Sequence, residues 1–173
     1  EENTLIVFLS DNGGPTRELT SSNLPLRGGK GQMYEGGLRI PFMVQWKGHL
    51  PAGQLYRHPV SSMDLFATAA GLGNIPAPGN LDGVDLLPYL RGSKKDPPHE
   101  SLFWRQRHKT AFRMGAWKIV GDTRKQDDHH WELYNLAQDL TERVNLASRH
   151  PDKLNELRQA WSAMNAQMAE PLF

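Results

Sequence analysis

The sequence predicts an α/β chain, on three observations. An unbroken apolar run, Leu5-Ile6-Val7-Phe8-Leu9, leads straight into Asp11-Asn12-Gly13-Gly14; apolar residues then recur at helical spacing over 62–72; and short strand-like runs between 101 and 134 precede an amphipathic stretch beginning at Pro151. Together they describe a sheet-and-helix region, followed by a small antiparallel sheet packed against a C-terminal helix.

The first run is rich in branched and aromatic side chains, which fits a strand covered on both faces, as in a parallel sheet flanked by helices. Asp11 and Asn12 therefore stand where that strand ends, and in open α/β sheets ligands bind in the crevice beyond the carboxyl ends of the strands. Adjacent side-chain oxygens, followed by glycines that let the backbone turn tightly, suit a hard divalent cation that prefers oxygen ligands. The same four residues also read as a plain turn.

From Ser10 to Leu38 no helical or alternating pattern is visible, and a connection of that length in a compact domain is usually functional or disordered. Leu19, Leu24, Leu26, Met33 and Tyr34 punctuate it, and it returns to a second strand-like run at 40–46. Within it, Gly28-Gly29-Lys30-Gly31 sets an ammonium where flanking glycines admit a ligand close to the backbone. A lysine is a compact, strongly hydrated charge suited to a sulfate or phosphate oxygen. Glu35 and Arg39, four apart across Gly36-Gly37, read as an ion pair that shapes the loop's return.

The middle of the chain reads as scaffold. Met63, Phe66, Ala67 and Ala70 fall at helical spacing behind Ser61 or Ser62 as a cap, with Gly71 and Gly73 near the end, and this helix is expected to pack on the sheet. Residues 74–82 form a Pro-, Gly- and Asn-rich connection, followed by a short helical turn over 86–90. The stretch 92–100, with Lys94, Lys95, Pro97 and Pro98, reads as an exposed linker, so the expected division is residues 1–92 and residues 93–173.

Beyond the linker, runs at 101–104, 111–114, 117–120 and 132–134 are separated by polar or glycine-containing turns, as in an antiparallel meander, with Gly115-Ala116 as a hairpin turn. Pro151 fits a first helical position. After it Leu154, Leu157, Trp161, Met164 and Met168 recur at steps of three and four, a stripe expected to cover one face of the small sheet. Asp127-Asp128-His129-His130 has metal-compatible side chains but lies in a charged segment, and reads as a solvated loop. The basic run from Arg105 to Lys109 joins two strands of the small sheet.

Composition bounds the alternatives. The chain has 173 residues and a formal net charge of +1, which argues against nucleic acid or a membrane surface as the main partner. It has no cysteine for disulfides and no Asn-x-Ser/Thr acceptor, and no apolar run long enough to span a membrane. It opens at Glu1 with neither an initiating Met nor a secretory signal, so it is expected to be a piece of a longer protein.

The order of motifs resembles a known family. A strand, then Ser10-Asp11-Asn12-Gly13-Gly14, Pro25-Leu26-Arg27-Gly28-Gly29-Lys30-Gly31, Tyr34-Glu35-Gly36-Gly37, Arg39 and Pro41 is similar to the C-terminal third of a type I sulfatase of the arylsulfatase kind, in the alkaline phosphatase superfamily. The resemblance continues through Leu50-Pro51-Ala52-Gly53, the Asp64-Leu65-Phe66 segment, the 81–90 stretch, the 113–120 run and Glu132-Leu133-Tyr134-Asn135-Leu136.

That resemblance implies an alkaline-phosphatase-like α/β fold and hydrolysis of sulfate monoesters, with sulfated sugars favoured by the Leu102-Phe103-Trp104-Arg105 region. It implies Asp11 and Asn12 as ligands of an active-site calcium, and Lys30 as the catalytic contact to the sulfate group. Because the family's C-terminal subdomain borders the substrate cleft, Arg107 and His108 become candidate substrate contacts, against the reading of an exposed basic hairpin. The family's nucleophile is a formylglycine made from the Cys or Ser that opens a Cys/Ser-x-Pro-x-Arg motif, and that motif is absent here. It is expected upstream, with the remaining N-terminal part of the catalytic domain as the partner that completes the site, so the segment alone is expected to be inactive. The resemblance favours a periplasmic or secreted location. The alternatives are a phosphomonoester or phosphonate hydrolase of the same superfamily, a non-catalytic calcium-dependent glycan-binding module, and a degenerate family member kept for structure or interaction.

Overall fold

The computed structural model describes residues 2–16, 21–76, 78–124 and 131–169. Its compact units do not follow a single cut in the sequence. One comprises Glu1–Phe8 with Met43–Glu100, and the other Leu9–Phe42 with Ser101–Phe173. The 92–100 linker does precede the second unit's sheet, but the glycine-rich segment ahead of it groups with that sheet as well.

In the first unit, strands β1 (Ile6–Leu9) and β2 (Phe42–Gln45) form a two-stranded sheet. Ile6 and Phe8 stand 47% and 61% exposed in this chain, which spans well under half the length of its relatives, and β2 is the sole sheet neighbour of β1 among the described residues. Helix α2 (Asp64–Leu72) forms as expected, but its buried face is Asp64, Ala67, Thr68 and Ala70, while Met63 and Phe66 are exposed. A polar clasp lies on the buried face. The Asp64 carboxylate is fully buried and accepts from the Ser61 N–H (2.7 Å), the Val84 N–H (2.9 Å) and His99 Nε2 (2.9 Å).

The same clasp replaces the expected serine cap. The helix begins two residues later than the sequence suggested and its N-cap, Met63, makes no side-chain cap bond. Instead Asp64 reaches back to the preceding turn. A one-turn helix, α3, spans Leu87–Leu90 beside the buried Leu86 and Leu87.

In the second unit, β3 (Ser101–Gln106), β4 (Lys109–Met114), β5 (Trp117–Asp122) and β6 (Glu132–Asn135) form an antiparallel meander in sequence order. Two-residue turns join the first three strands: Gln106 pairs with Lys109, and Met114 with Trp117. Side chains alternate between faces. Phe112, Ile119 and Leu133 lie in register on one face and meet Leu154 and Leu157 of helix α4 (Pro151–Asn165), with Trp131 completing the cluster. Full burial of each such side chain contributes roughly 1.5–3 kcal/mol.

The helical stripe thus packs as its spacing predicts, except that Met168 lies beyond the helix. Trp161 is held by a hydrogen bond from its Nε1 to Thr110 Oγ1 at 2.8 Å. The opposite sheet face is covered too, since Ala111, Val120 and Tyr134 pack with Met33 of the glycine-rich segment. This second covering explains why β5 is buried from Lys118 through Gly121.

Candidate functional site

The glycine-rich segment folds back on itself with backbone laid against backbone. A Cβ on Gly13 would stand 1.8 Å from the Gly36 carbonyl oxygen, and one on Gly36 would stand 2.4 Å from that of Gly28. Only glycine permits that approach. Asn23, unremarked in the sequence, ties the layers together: its Oδ1 accepts the Gly14 N–H at 2.9 Å, and its Nδ2 donates to the carbonyls of Gly14 and Gly28, each at 3.0 Å. Inside this stack a one-turn helix, α1 (Glu35–Leu38), forms despite its two glycines, a segment the sequence presented as plain loop. The propensity cost of about 1 kcal/mol per glycine is offset by this packing and by the polar anchors of Glu35.

Those anchors are buried charges. Lys118 of β5 is fully buried and reaches Glu35 Oε1 at 2.9 Å and Glu142 Oε1 at 2.8 Å; Glu142 Oε2 accepts the Glu35 N–H at 2.6 Å. The Glu35–Arg39 pair expected from spacing does form, at 3.9 Å, but it is subsidiary to Lys118. Burial pushes the Glu142 carboxyl above its usual range even though Lys118 pulls it down. Nearby, the Arg27 guanidinium lies 3.8 Å over the Tyr34 ring and donates to Tyr134 Oη at 2.8 Å and to the Glu142 carbonyl at 2.9 Å. Burial, reinforced by its hydrogen bond to Glu132, pushes Tyr34 up to about 12. Residues a hundred positions apart thereby fix the loop on the sheet.

Lys30 emerges from this stack. Its N–H donates to the Gly14 carbonyl at 3.2 Å, so the turn bearing Asp11 and Asn12 is tied by backbone to the lysine loop, and Gly13 N–H to the Gly37 carbonyl at 3.0 Å makes a second tie. Lys30 lines a hollow of about 450 Å³ whose other walls are residues 15–16, 29, 31–32 and the β3–β4 hairpin 106–109. The structure therefore brings Lys30, Arg107 and His108 to one cavity. Asp11 and Asn12 do not line it.

Lys109, also missed in the sequence as a determinant, donates from Nζ to the Gly31 carbonyl at 3.0 Å and clamps hairpin to loop. The His108 carbonyl accepts from the Thr123 N–H at 2.7 Å, and its Nε2 lies 3.7 Å from Asp122. Hydrogen bonds from Arg124 hold Asp122 well below the usual carboxylate range. Arg105 is drawn away from the hollow, donating to Asn165 Oδ1 at 2.6 Å and to the Ala169 carbonyl. Among the described residues no side-chain partner engages Lys30, Arg107, Asp11 or Asn12. The Asp127-Asp128-His129-His130 cluster falls outside the described residues.

The side chains of Asp11 and Asn12, without a side-chain partner among the described residues, fit part of the oxygen shell of a hard cation. They would be a minority of the six to eight ligands that calcium usually takes. No group of three or more acidic, His or Cys side chains that could complete such a shell exists among the described residues.

Lys30, Arg107 and His108 thus line one hollow, with the Asp11-Asn12 turn tied to the lysine loop through the backbone. Residues 1–75 match the family model described as Sulfatase. Steryl-sulfatase of Mus musculus is 42% identical over 109 residues, covering 58% of this chain and 18% of that protein; arylsulfatase A of Homo sapiens is 34% identical over 188 aligned positions, covering 91% and 37%. The crystal structure of Ps i-CgsB superposes with a TM-score of 0.85 at 30% identity, covering 99% of this chain and 38% of that one. The chain belongs to the sulfatase family, whose named members are sulfuric ester hydrolases, and it corresponds to the C-terminal portion of their fold. It spans well under half the length of each of these relatives. Among the described residues no helix is long and apolar enough to cross a membrane.

Proposed function

We propose that this chain supplies the sulfate-binding lysine, part of a calcium site and one wall of the substrate cleft to an enzyme that hydrolyses sulfate monoesters. The observation that carries the reading is Lys30: an ammonium without a partner among the described residues, held by a glycine stack at the edge of a hollow that Arg107 and His108 also line.

Cleavage of a sulfate ester builds negative charge on the transferred group and on the leaving oxygen, so fixed positive groups are the main requirement. Lys30 would neutralise a sulfate oxygen, while Arg107 and His108 would contact the rest of the substrate. Asp11 and Asn12 would hold calcium through their side-chain oxygens; a bound divalent cation adds Lewis-acid charge at the sulfate. The formylglycine nucleophile would come from sequence outside this chain. With only two of the metal's ligands and no nucleophile motif, the segment alone is proposed to bind calcium weakly and to lack esterase activity. Ps i-CgsB has been crystallised in complex with k-i-k-neocarrahexaose, which supports a sulfated sugar as the ester; a periplasmic or secreted setting is proposed from the family resemblance alone.

The test is Lys30→Ala in the protein expressed from its full gene. Turnover of an aryl sulfate should fall by about 10²–10³, the usual loss when one preorganised charge-stabilising donor is removed. Near-normal turnover would remove Lys30 from the chemistry.

A further inference from the structure

The β3–β4 turn contains an anomaly. Its two central residues are Arg107 and His108, and Arg107 takes φ 55°, the left-handed region. Hairpin turns that need this conformation normally use Gly, Asn or Asp, because a larger side chain in it strains the backbone. The other tight hairpin of the same sheet follows the rule, with Gly115 at φ 57°. Strained non-glycine residues persist only where the surroundings hold them, and they cluster at ligand clamps and active sites.

No structural partner accounts for the arginine, since its guanidinium has none among the described residues. What does surround it is a site. The hairpin tip is pinned over the lysine loop by Lys109 Nζ on the Gly31 carbonyl, and His108 beside it is held by Thr123. Arg107 and Lys30 then line one hollow as two cations with no side-chain partner among the described residues, and none of its described lining residues is a carboxylate. In the proposed function Lys30 is assigned the scissile sulfate, which leaves Arg107 for another group.

We infer that Arg107 recognises a second anionic group on the substrate, a second sulfate or a sugar carboxylate, so that the hollow selects doubly charged saccharides over singly charged esters. This rests on the proposed sulfatase reading, in which Lys30 takes the scissile sulfate. A planar guanidinium pairs with sulfate or carboxylate oxygens through two parallel N–H donors, which a lysine cannot do. The strained turn fixes where that fork is presented.

The experiment compares Arg107→Asn and Arg107→Gly with the parent, using the protein from its full gene. Three probes are used: 4-nitrophenyl sulfate, a galactose disulfate, and a monosulfated disaccharide carrying a uronic acid. Turnover is followed alongside calorimetric binding of the two sugars. Either substitution should weaken binding of at least one doubly charged sugar by about 10- to 100-fold, the loss typical of a charge-assisted hydrogen bond. The preference for that sugar over 4-nitrophenyl sulfate should drop with it, and the sugar that loses more identifies the second anion. Tm should stay level or rise, because Asn and Gly adopt the left-handed turn with less strain.

A fall in Tm would make Arg107 a structural residue and overturn the inference. So would equal losses for singly and doubly charged probes, unchanged sugar binding, or a parent that binds neither sugar. If the parent binds the sugars through Arg107 yet hydrolyses no sulfate ester, the sulfatase reading fails and the two-anion site stands.

Discussion

The two compact units bury charge in opposite ways. In the first, a single carboxylate, Asp64, is enclosed by hydrogen-bond donors: two backbone N–H groups and a histidine ring nitrogen. In the second, Lys118 is enclosed by two carboxylates. Their apolar packing differs as well. Leu154, Leu157, Phe112, Ile119 and Leu133 give the second unit a contiguous core, whereas the first leaves Ile6, Phe8, Met43 and Phe66 largely in solvent. In the first unit one polar clasp holds the turn, the helix start and the downstream segment together. In the second the charges serve to fix a loop on a sheet, and that loop carries Lys30.

The largest effect expected from this contrast lies in the second unit. Lys118→Met keeps the length and apolar stem of the side chain but leaves Glu35 and Glu142 buried without their common cation. Breaking a buried pair from one side costs about 3–5 kcal/mol. Urea denaturation should show a loss of that size, and since the loop is anchored through Glu35, turnover by the full-length protein should fall with it. A variant of parental stability would mean that the carboxylates simply take up protons, and that the apolar core alone carries the unit.

A smaller effect tests the clasp. Asp64→Ala removes the acceptor for the Ser61 and Val84 N–H groups and for His99, and each buried group left unsatisfied costs about 1–3 kcal/mol. Hydrogen exchange read by segment should show faster exchange over 61–72 and 83–99, with β3 to β6 still protected. Loss of protection in both units together would show that they open as one, and the contrast between them would have no energetic meaning.

What the sequence disclosed follows the range over which each signal acts. The meander and α4 were legible because period-2 and period-3.6 patterns are local and their apolar residues do face the core. Helix α2 was legible as a helix but not by its buried face, which carries Asp64 and its three donors, partners that lie outside the helix at Ser61, Val84 and His99. The glycine stack was visible as glycines, and Lys30 as a lysine among them. The partners that position it were not: Lys118 to Glu35 spans 83 residues and Arg27 to Tyr134 spans 107, so no window of sequence contains both members. Lys118 itself sits in a run, Trp117-Lys118-Ile119-Val120, where a lysine ordinarily reads as the solvent side of a strand. The left-handed conformation of Arg107 carried no sequence signal, because the residue is the wrong type for it.

The smallest effect concerns the protons of the buried knot. Glu142 is faced by Lys118 from β5 and by Glu35 from α1; Glu35 in turn is approached by Arg39 and lies in the field of Arg113 on β4. Its carboxyl is shifted upward from the ordinary value of 4.5, chiefly by burial. A raised value means that the folded state holds a proton the unfolded chain has already released. The stability this contributes is therefore complete below about pH 4.5 and is lost as pH rises through the folded value. Asp139, lowered by backbone hydrogen bonds from Val144 and Arg143 against the push of burial, contributes in the opposite sense and titrates below its ordinary 3.8, so the two windows are separate. Glu142→Gln keeps a carbonyl oxygen for the Glu35 N–H and removes the titration. Plotted against pH, the Tm of the parent minus that of the variant should decline above pH 4.5. The decline corresponds to about 1.4 kcal/mol for each pH unit between the unfolded and folded values. A flat difference would mean that Lys118 fully compensates Glu142, and that the knot buries a balanced set of charges.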